Sequence, residues 1–211
     1  MKIKKIGHCC LLIQTKGLTI LTDPGTYSTE QDTLTGIDLV VISHEHADHF
    51  HIESVKAILK NNPNVKIITN AAVGKKLDEA GIAYEVVDGT NATDFKGVAI
   101  EAADHRHGEI FEEMGQVQNT AYYIDGALYY PGDSFGIPTK PVDILALPIA
   151  GPWVRIGDAI RYALEIKPRV AFPVHEAMYK DPKGVHGMLQ EIFSKLGVNF
   201  VPMAAGDEHE F

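Results

Sequence analysis

Four side chains of the kinds that bind metals lie within six positions of one another. They are three histidines and one aspartate in the spacing H-x-H-x-D-H: His44, His46, Asp48 and His49. The apolar run Ile37–Ile42 ends just before them and is typical of a buried strand. Residues two apart in an extended chain project to the same side, so these side chains can converge on one point. Because zinc prefers imidazole nitrogens and carboxylate oxygens, the segment predicts a metal site.

Two other interpretations of this segment must be considered. His44 and Glu45 resemble the start of the helical protease motif H-E-x-x-H, but that motif requires a histidine where this chain has Asp48. The second interpretation is a solvated, histidine-rich loop at the end of a strand. The spacing argues against such a loop, because four ligand groups so close together favour a bound cation.

Length and composition indicate an ordinary globular protein. A chain of 211 residues can bury its own core, and we predict one domain over residues 1–211. Hydrophobic residues make up 45% and charged residues 22% of the chain. No apolar run reaches the length of about 18 residues that a membrane span needs, and the first residues lack the apolar core of a signal peptide. We therefore expect a cytoplasmic protein with no membrane partner.

The formal net charge of −9 argues against a nucleic-acid partner, since no basic stripe is present. Cys9 and Cys10 are adjacent, so in a strand they face opposite sides and cannot form a C-x-x-C metal site. We expect both to be buried or half-buried thiols in a reducing compartment. The sequence leaves the oligomeric state open, a homo-oligomer included.

The order of patterns along the chain predicts the fold class. Short strands joined by turns come first and are followed by strands that alternate with helices, and the same order then repeats. Two such halves predict two sheets packed face to face with helices outside, a four-layer αββα sandwich of the α/β class. The acidic run Asp207–Glu210 at the end of the chain is interpreted as a solvated tail.

Further acids and histidines follow other apolar runs. They stand where a strand ends and a loop begins: Asp104, His105, His107, Asp133 and His175. A sheet edge holds such side chains in an open crevice, where active sites gather. Each alone could be a cap or a turn residue. Taken with the first cluster, they supply enough ligands for two metals.

This combination resembles the metallo-β-lactamase superfamily, over nearly the whole chain and in the right order. The segments around His8, Asp23, His105, Asp133 and His175 look most similar to the ascorbate-phosphate-lactonase branch of small hydrolases. The resemblance implies the αββα sandwich with a site in the cleft between the sheets. The chain offers no cysteine ligand at the second metal, unlike many true β-lactamases, which favours a small stand-alone hydrolase.

The resemblance also implies a set of ligands. His44, His46 and His105 would hold one divalent ion, with His107 as the substitute for His105 two residues further on. Asp48, His49 and His175 would hold the second ion, and Asp133 would bridge the pair. His8, Asp23 and Asp104 would support these ligands through hydrogen bonds. Zinc suits the imidazole-rich set, and manganese or iron would also be accepted.

The implied reaction is hydrolysis of a small ester, lactone or phosphodiester by a hydroxide that bridges the two metals, with Asp48 orienting it and moving its proton. Two alternatives stay open: a metal-binding domain without catalysis, and a nuclease or phosphodiesterase on the same site. Trp153 and Arg155 lie between a strand end and a helix, so they are candidates to contact substrate. Equally, Trp153 could pack a loop while Arg155 is solvated.

Overall fold

The first sheet contains an antiparallel hairpin. Its turn lies at Thr15–Gly17, between two apolar runs that form strands. The computed structural model describes all 211 residues. The seven strands of this sheet are β1 Lys2–Gly7, β2 Cys10–Thr15, β3 Leu18–Thr22, β4 Leu39–Ile42, β5 Lys66–Thr69, β6 Glu85–Val86 and β14 Glu208–Glu210. Their order is β14-β1-β2-β3-β4-β5-β6. Strands β3 to β6 run parallel, and the others pair antiparallel.

The second sheet repeats this plan. Its seven strands are β7 Ala92–Phe95, β8 Val98–Arg106, β9 Gln118–Ile124, β10 Leu128–Tyr130, β11 Ile144–Pro148, β12 Val170–Val174 and β13 Asn199–Phe200. Strands β7 to β10 pair antiparallel and β10 to β13 run parallel. The parallel strands end at the same edge, where their loops carry polar side chains.

Helices cover the outer face of each sheet. They are α1 Ile52–Asn61, α2 Ala71–Glu79, α3 Ile156–Ile166 and α4 Lys183–Lys195. One core of 23 buried residues lies between the sheets, and two smaller cores lie under the helix pairs. Cys9 packs in the central core and Cys10 under α1 and α2, so the two thiols do face opposite sides. The predicted αββα sandwich is confirmed.

The end of the chain differs from its prediction. Glu208–Glu210 is not a free tail but the edge strand β14, paired antiparallel with β1, although its side chains stay exposed. Backbone pairing is open to any sequence at a free sheet edge, and a 2.8 Å ion pair between Lys2 and Glu208 adds to it. None of the helices is long and apolar enough to cross a membrane.

Candidate metal centre

Loops that follow β4, β8, β10 and β12 meet at one end of the sandwich. The turn after β4 is held tightly, because the N–H groups of His49 and Phe50 both donate to the carbonyl of His46, at 2.9 and 2.8 Å. Gly25 packs on this turn so closely that a Cβ at position 25 would overlap the Asp48 carbonyl. The motif therefore has a fixed shape before any ligand is bound.

Three histidines form the first group of side chains. The ring of His46 lies 4.8 Å from that of His44 and 4.6 Å from that of His107, measured between centroids. One ligand atom from each of the three lies within 4.8 Å of the others. Since neutral imidazoles at this spacing can share one divalent cation, the group is a candidate metal site.

Asp48, His49 and His175 form the second group. The Oδ2 atom of Asp48 lies 3.4 Å from Nε2 of His175 and 3.8 Å from Nε2 of His49. His8 also contacts Asp48, at 3.3 Å through Nε2. Its Nδ1 accepts the N–H of Ala177 at 3.3 Å, so Nε2 carries the ring proton and donates to Asp48. We therefore assign His8 as a support of Asp48 and not as a ligand.

Asp133 lies between the two groups. Its Oδ1 is 3.1 Å from Nε2 of His49, while its Oδ2 is 3.0 Å from His175 and 3.4 Å from His107. His44 Nε2 is 4.0 Å from the same Oδ2. Because each carboxylate oxygen faces a different set of imidazoles, Asp133 can contact cations on both sides.

The donor set fits divalent cations. Several buried ligand atoms have no hydrogen-bond partner: Nε2 of His44, His49, His107 and His175, and Oδ1 of Asp133. Buried polar atoms are normally paired, so a group of unpaired ones aimed at the same space indicates a missing partner. Nitrogen and carboxylate oxygen donors in this arrangement are those of zinc and related ions.

The expectation that His105 joins His44 and His46 is not met by the geometry: the structure groups His107, its named substitute, with them. Strand β8 continues to Arg106, so alternation still governs position 105. Ala102 faces the core between the sheets and Ala103 the helix-covered side, so His105 points outwards, where its ring packs against Gly136. His107 lies beyond the strand and turns inwards, held by a 2.7 Å bond from Nδ1 to the Gly108 carbonyl.

Asp23 holds the first half of the centre from behind. This buried carboxylate accepts hydrogen bonds from the Ser43 N–H at 2.7 Å, from the Ser43 hydroxyl at 2.5 Å and from the Tyr130 hydroxyl at 2.6 Å. His49 Nδ1 lies 2.6 Å from it. A carboxylate bonded to the far nitrogen of an imidazole fixes the ring and leaves Nε2 free for a metal.

Three residues of the centre take the left-handed backbone conformation that favours glycine. They are His8 at φ 52°, Asp23 at φ 36° and His175 at φ 67°, each directly after a strand or in the turn that follows it. Such conformations cost free energy and persist where the surroundings enforce them. The strands thus end in sharp bends that turn these side chains into the cleft.

A buried ion pair supports His175. Lys5 on β1 has no exposed surface, donates to the carbonyl of Pro173 at 2.7 Å and forms an ion pair with Glu176. Pro173 and Glu176, which Lys5 contacts, lie on either side of His175 in the chain. The N–H of His175 also donates to the carbonyl of His8 at 3.4 Å. The first sheet therefore positions a ligand of the second.

The other predicted contributors divide into two groups. The indole N–H of Trp153 donates to Oδ2 of Asp133 at 3.0 Å, so Trp153 does reach the centre. Asp104 does not, because its carboxylate bonds to Thr120 and Gln118, its neighbours on β9. Arg155 is also outside: it precedes α3 and lines an adjoining pocket with Phe135.

Charges within the cluster balance one another. Burial raises the pKa of Asp133, but the neighbouring His49 and His175 outweigh it and hold that pKa well below its usual range. Burial lowers the pKa of His175, but Asp133 and Asp48 together raise it to about 9. Burial and its histidine neighbours lower the pKa of His44. Without a cation, protons on His49 and His175 would compensate the carboxylates, and metal binding would release them.

Several supporting residues were not found from the sequence. Tyr130 lies inside an apolar strand, Asn119 is one of many polar residues near a strand start, and Lys5 belongs to a basic N-terminus. Asn119 accepts the Asp133 N–H at 2.9 Å and donates to the Pro131 carbonyl at 3.0 Å, which fixes the turn that presents Asp133. No local pattern marks such contacts, since each depends on a partner distant in the chain.

The sequence is similar to known proteins over most of its length. Residues 2–175 match the family model described as a beta-lactamase superfamily domain. The Mycobacterium tuberculosis protein Rv0786c is 30% identical over 199 residues, covering 91% of this chain and 92% of its own. A UPF0173 metal-dependent hydrolase of Carboxydothermus hydrogenoformans is 25% identical and covers 98% of both chains.

A solved structure shares the fold. It is a metallo hydrolase of the archaeon Ignicoccus hospitalis, with a TM-score of 0.79 and 22% identity, covering all of this chain and 98% of that one. At this identity the likeness concerns the fold alone.

Proposed function

Because this chain belongs to the β-lactamase superfamily and is a metal-dependent hydrolase of the metallo-β-lactamase fold, we propose that it hydrolyses a small ester, lactone or phosphodiester. The proposal further assigns two divalent cations to the centre, one to each group of ligands. His44, His46 and His107 would hold the first, and Asp48, His49 and His175 the second, with Asp133 contacting both. Zinc is the cation that this imidazole-rich set suits best, with manganese or iron as substitutes.

One observation carries the proposal: unpaired ligand atoms of five buried side chains, drawn from four loops, face the same small space. Buried histidine nitrogens are normally bonded to the protein, and the convergence of several unpaired ones on one space indicates a cation. Divalent cations bound here would lower the pKa of water from 15.7 to about 7 and polarise the oxygen of the group under attack.

Asp48 is the residue placed to handle the proton. It is the one partly exposed carboxylate of the centre, with 23% of its side chain accessible, and it lines the pocket above the cluster. Its Oδ2 is held by His8, while Oδ1 makes no hydrogen bond within the protein. A water that donates to Oδ1 would be oriented towards the substrate and could pass its proton to the carboxylate.

The reaction needs no covalent enzyme intermediate. The oxygen of one water forms a bond to the acyl carbon or the phosphorus, and the bond to the leaving oxygen breaks. Asp48 carries one water proton to that leaving oxygen, and the acid product loses the other to solvent. Ser134 is no nucleophile here, because its hydroxyl accepts the N–H of Gly136 at 2.9 Å and no base contacts it.

Elemental analysis with an activity assay tests the proposal. The purified protein is expected to contain about two divalent ions per chain and to hydrolyse one class in a panel of esters, lactones, thioesters and phosphodiesters. Chelation should abolish turnover and lower the melting temperature, and zinc should restore both. Full turnover by the metal-free protein would contradict it. A metal-loaded protein inert on the whole panel would instead favour a metal-binding domain without catalysis.

A further inference from the structure

The pocket above the metal centre is small and mainly apolar. Its volume is about 380 Å³, at the low end of the range for small-molecule sites. The cluster forms its floor, and the walls that a substrate would meet beyond the reacting group are Tyr27, Ile110, Pro152, Trp153 and Met178. These residues come from four separate loops.

Part of the apolar exposure of this protein lies in that pocket. Nine large hydrophobic side chains are exposed, and three of them, Tyr27, Ile110 and Met178, line this one pocket. Phe111 and Met114, exposed by 62% and 66%, lie on the loop that carries Ile110. Scattered apolar residues are normal on a surface, but a group around a concave site indicates an apolar ligand.

No lysine or arginine is among the twelve residues that line the pocket. Arg106, before the loop that carries Ile110, is engaged by Glu113 at 3.1 Å, and that loop is otherwise acidic. Arg155, a candidate from the sequence to contact substrate, lines only the adjoining pocket, with Trp153 common to both. A charged group on the substrate, away from its reacting centre, would thus be buried without a partner.

We infer that the substrate is an uncharged carboxylic ester or lactone with an apolar substituent, which packs against Tyr27, Ile110, Trp153 and Met178. This inference rests on the proposed hydrolytic function and narrows its substrate class. Nucleotides and other substrates with a charged group away from the reacting centre fall outside that class, because the walls offer no arginine or lysine to pair with such a charge. The substituent must be long enough to reach the walls, because only then is its apolar surface removed from water.

Matched substrates test the inference on the metal-loaded protein. Phenyl butyrate and monophenyl succinate share the same ester but differ by a terminal carboxylate, and diphenyl phosphate supplies the phosphodiester. The neutral ester is expected to have a kcat/KM at least about tenfold higher than the succinate, because the pocket offers that carboxylate no cation. From phenyl acetate to butyrate, kcat/KM should rise about three- to fourfold for each methylene that reaches the wall.

Binding is measured separately from turnover. Trp153 is the one tryptophan of the chain, so its fluorescence reports occupancy of the pocket. If neutral esters bind more tightly than the succinate but none is cleaved, the preference of the pocket for uncharged, apolar ligands stands and the hydrolytic function fails. If the succinate or diphenyl phosphate is the better ligand and substrate, the hydrolytic function stands and the assignment to uncharged carboxylic esters is overturned.

A substitution at the rim sharpens the test. Met178→Arg places a cation at the pocket wall and should raise the kcat/KM for the succinate relative to the butyrate about tenfold. Met188→Arg is the matched control, an exposed methionine on α4 that does not line the pocket, and it should leave this ratio unchanged. An equal ratio in wild type and Met178→Arg would show that the wall does not contact the acyl chain and would overturn the assignment.

Discussion

The two sheets contribute to the metal centre in different ways. The first supplies four of the proposed ligands from the single turn after β4, at His44–His49. The second supplies three, His107, Asp133 and His175, each from the end of a different strand. The first set is held by one buried carboxylate, Asp23, while each member of the second has its own support: the Gly108 carbonyl, Asn119, and Lys5 with Glu176.

This difference has a consequence for how each set tolerates change. A contiguous turn brings its ligands together wherever the turn forms, so its geometry is local. The three remote ligands converge only if β8, β10 and β12 are in register and each loop bends correctly. We therefore expect the second set to depend more on packing, and the first on Asp23.

Removing the shared ligand should have the largest effect. Asp133→Ala takes away the carboxylate that contacts both groups, so we expect metal content to fall to near zero. The loss in turnover should exceed the ~10–100-fold that loss of a supporting hydrogen bond costs. Elemental analysis and kcat/KM measure this. Asp143→Ala is the control, since Asp143 pairs with exposed Arg169 on the surface. Normal metal content in Asp133→Ala would contradict the shared role.

His107 and His105 allow a matched comparison, because the same side chain is removed at two positions of one segment. His107→Ala should lose the first cation and reduce turnover by more than ~100-fold, because the ligand itself is removed. His105→Ala removes the same side chain two residues earlier, where it packs on Gly136, and should keep both metal and activity. The reverse result, with His105→Ala losing the metal, would restore the ligand that the sequence indicated.

The ion pair between Lys5 on β1 and Glu176 after β12 connects the two sheets, and substitutions measure its contribution to stability. Lys5→Met leaves Glu176 buried without its cation, which should destabilise the fold by about 3–5 kcal/mol. Urea unfolding measures this free energy. The double variant Lys5→Met, Glu176→Leu removes both charges and should recover most of it. If the double variant loses as much stability as Lys5→Met and Glu176→Leu lose when added together, the pair does not act as a unit.

Substitution of Asp23 should have the smallest effect of the four. It measures how much this carboxylate supports the turn at His44–His49. Asp23→Asn keeps the size of the side chain but removes the charge that orients His49, and metal affinity should fall by ~10–100-fold. Asp38→Asn is the matched control, because Asp38 also accepts a backbone N–H, from Thr19, but lies away from the centre. Competition with a chelator measures the affinity. An unchanged affinity would show that the turn holds His49 by itself.

Sequence-based prediction succeeded for the ligands on one turn and was less exact for those at separate strand ends. The turn at His44–His49 and the fold class were predictable, because strand and helix periodicities are local and the ligand spacing fits one turn. Choosing between His105 and His107 was not, because it depends on whether β8 ends before or after Arg106. A side chain inside the strand keeps the face set by alternation, whereas one beyond its end can turn into the cleft.

The sequence by itself determined the αββα sandwich, the contiguous ligands and the strand ends that supply the remote ones. It did so because hydrophobic periodicity and ligand spacing are properties of short segments. Only the tertiary structure decided that His107 turns into the cleft, that Lys5 supports His175, that Arg155 lies outside, and that the pocket walls are apolar. These depend on side chains far apart in the chain, whose contacts are fixed by sheet order, strand length and the bends at His8, Asp23 and His175.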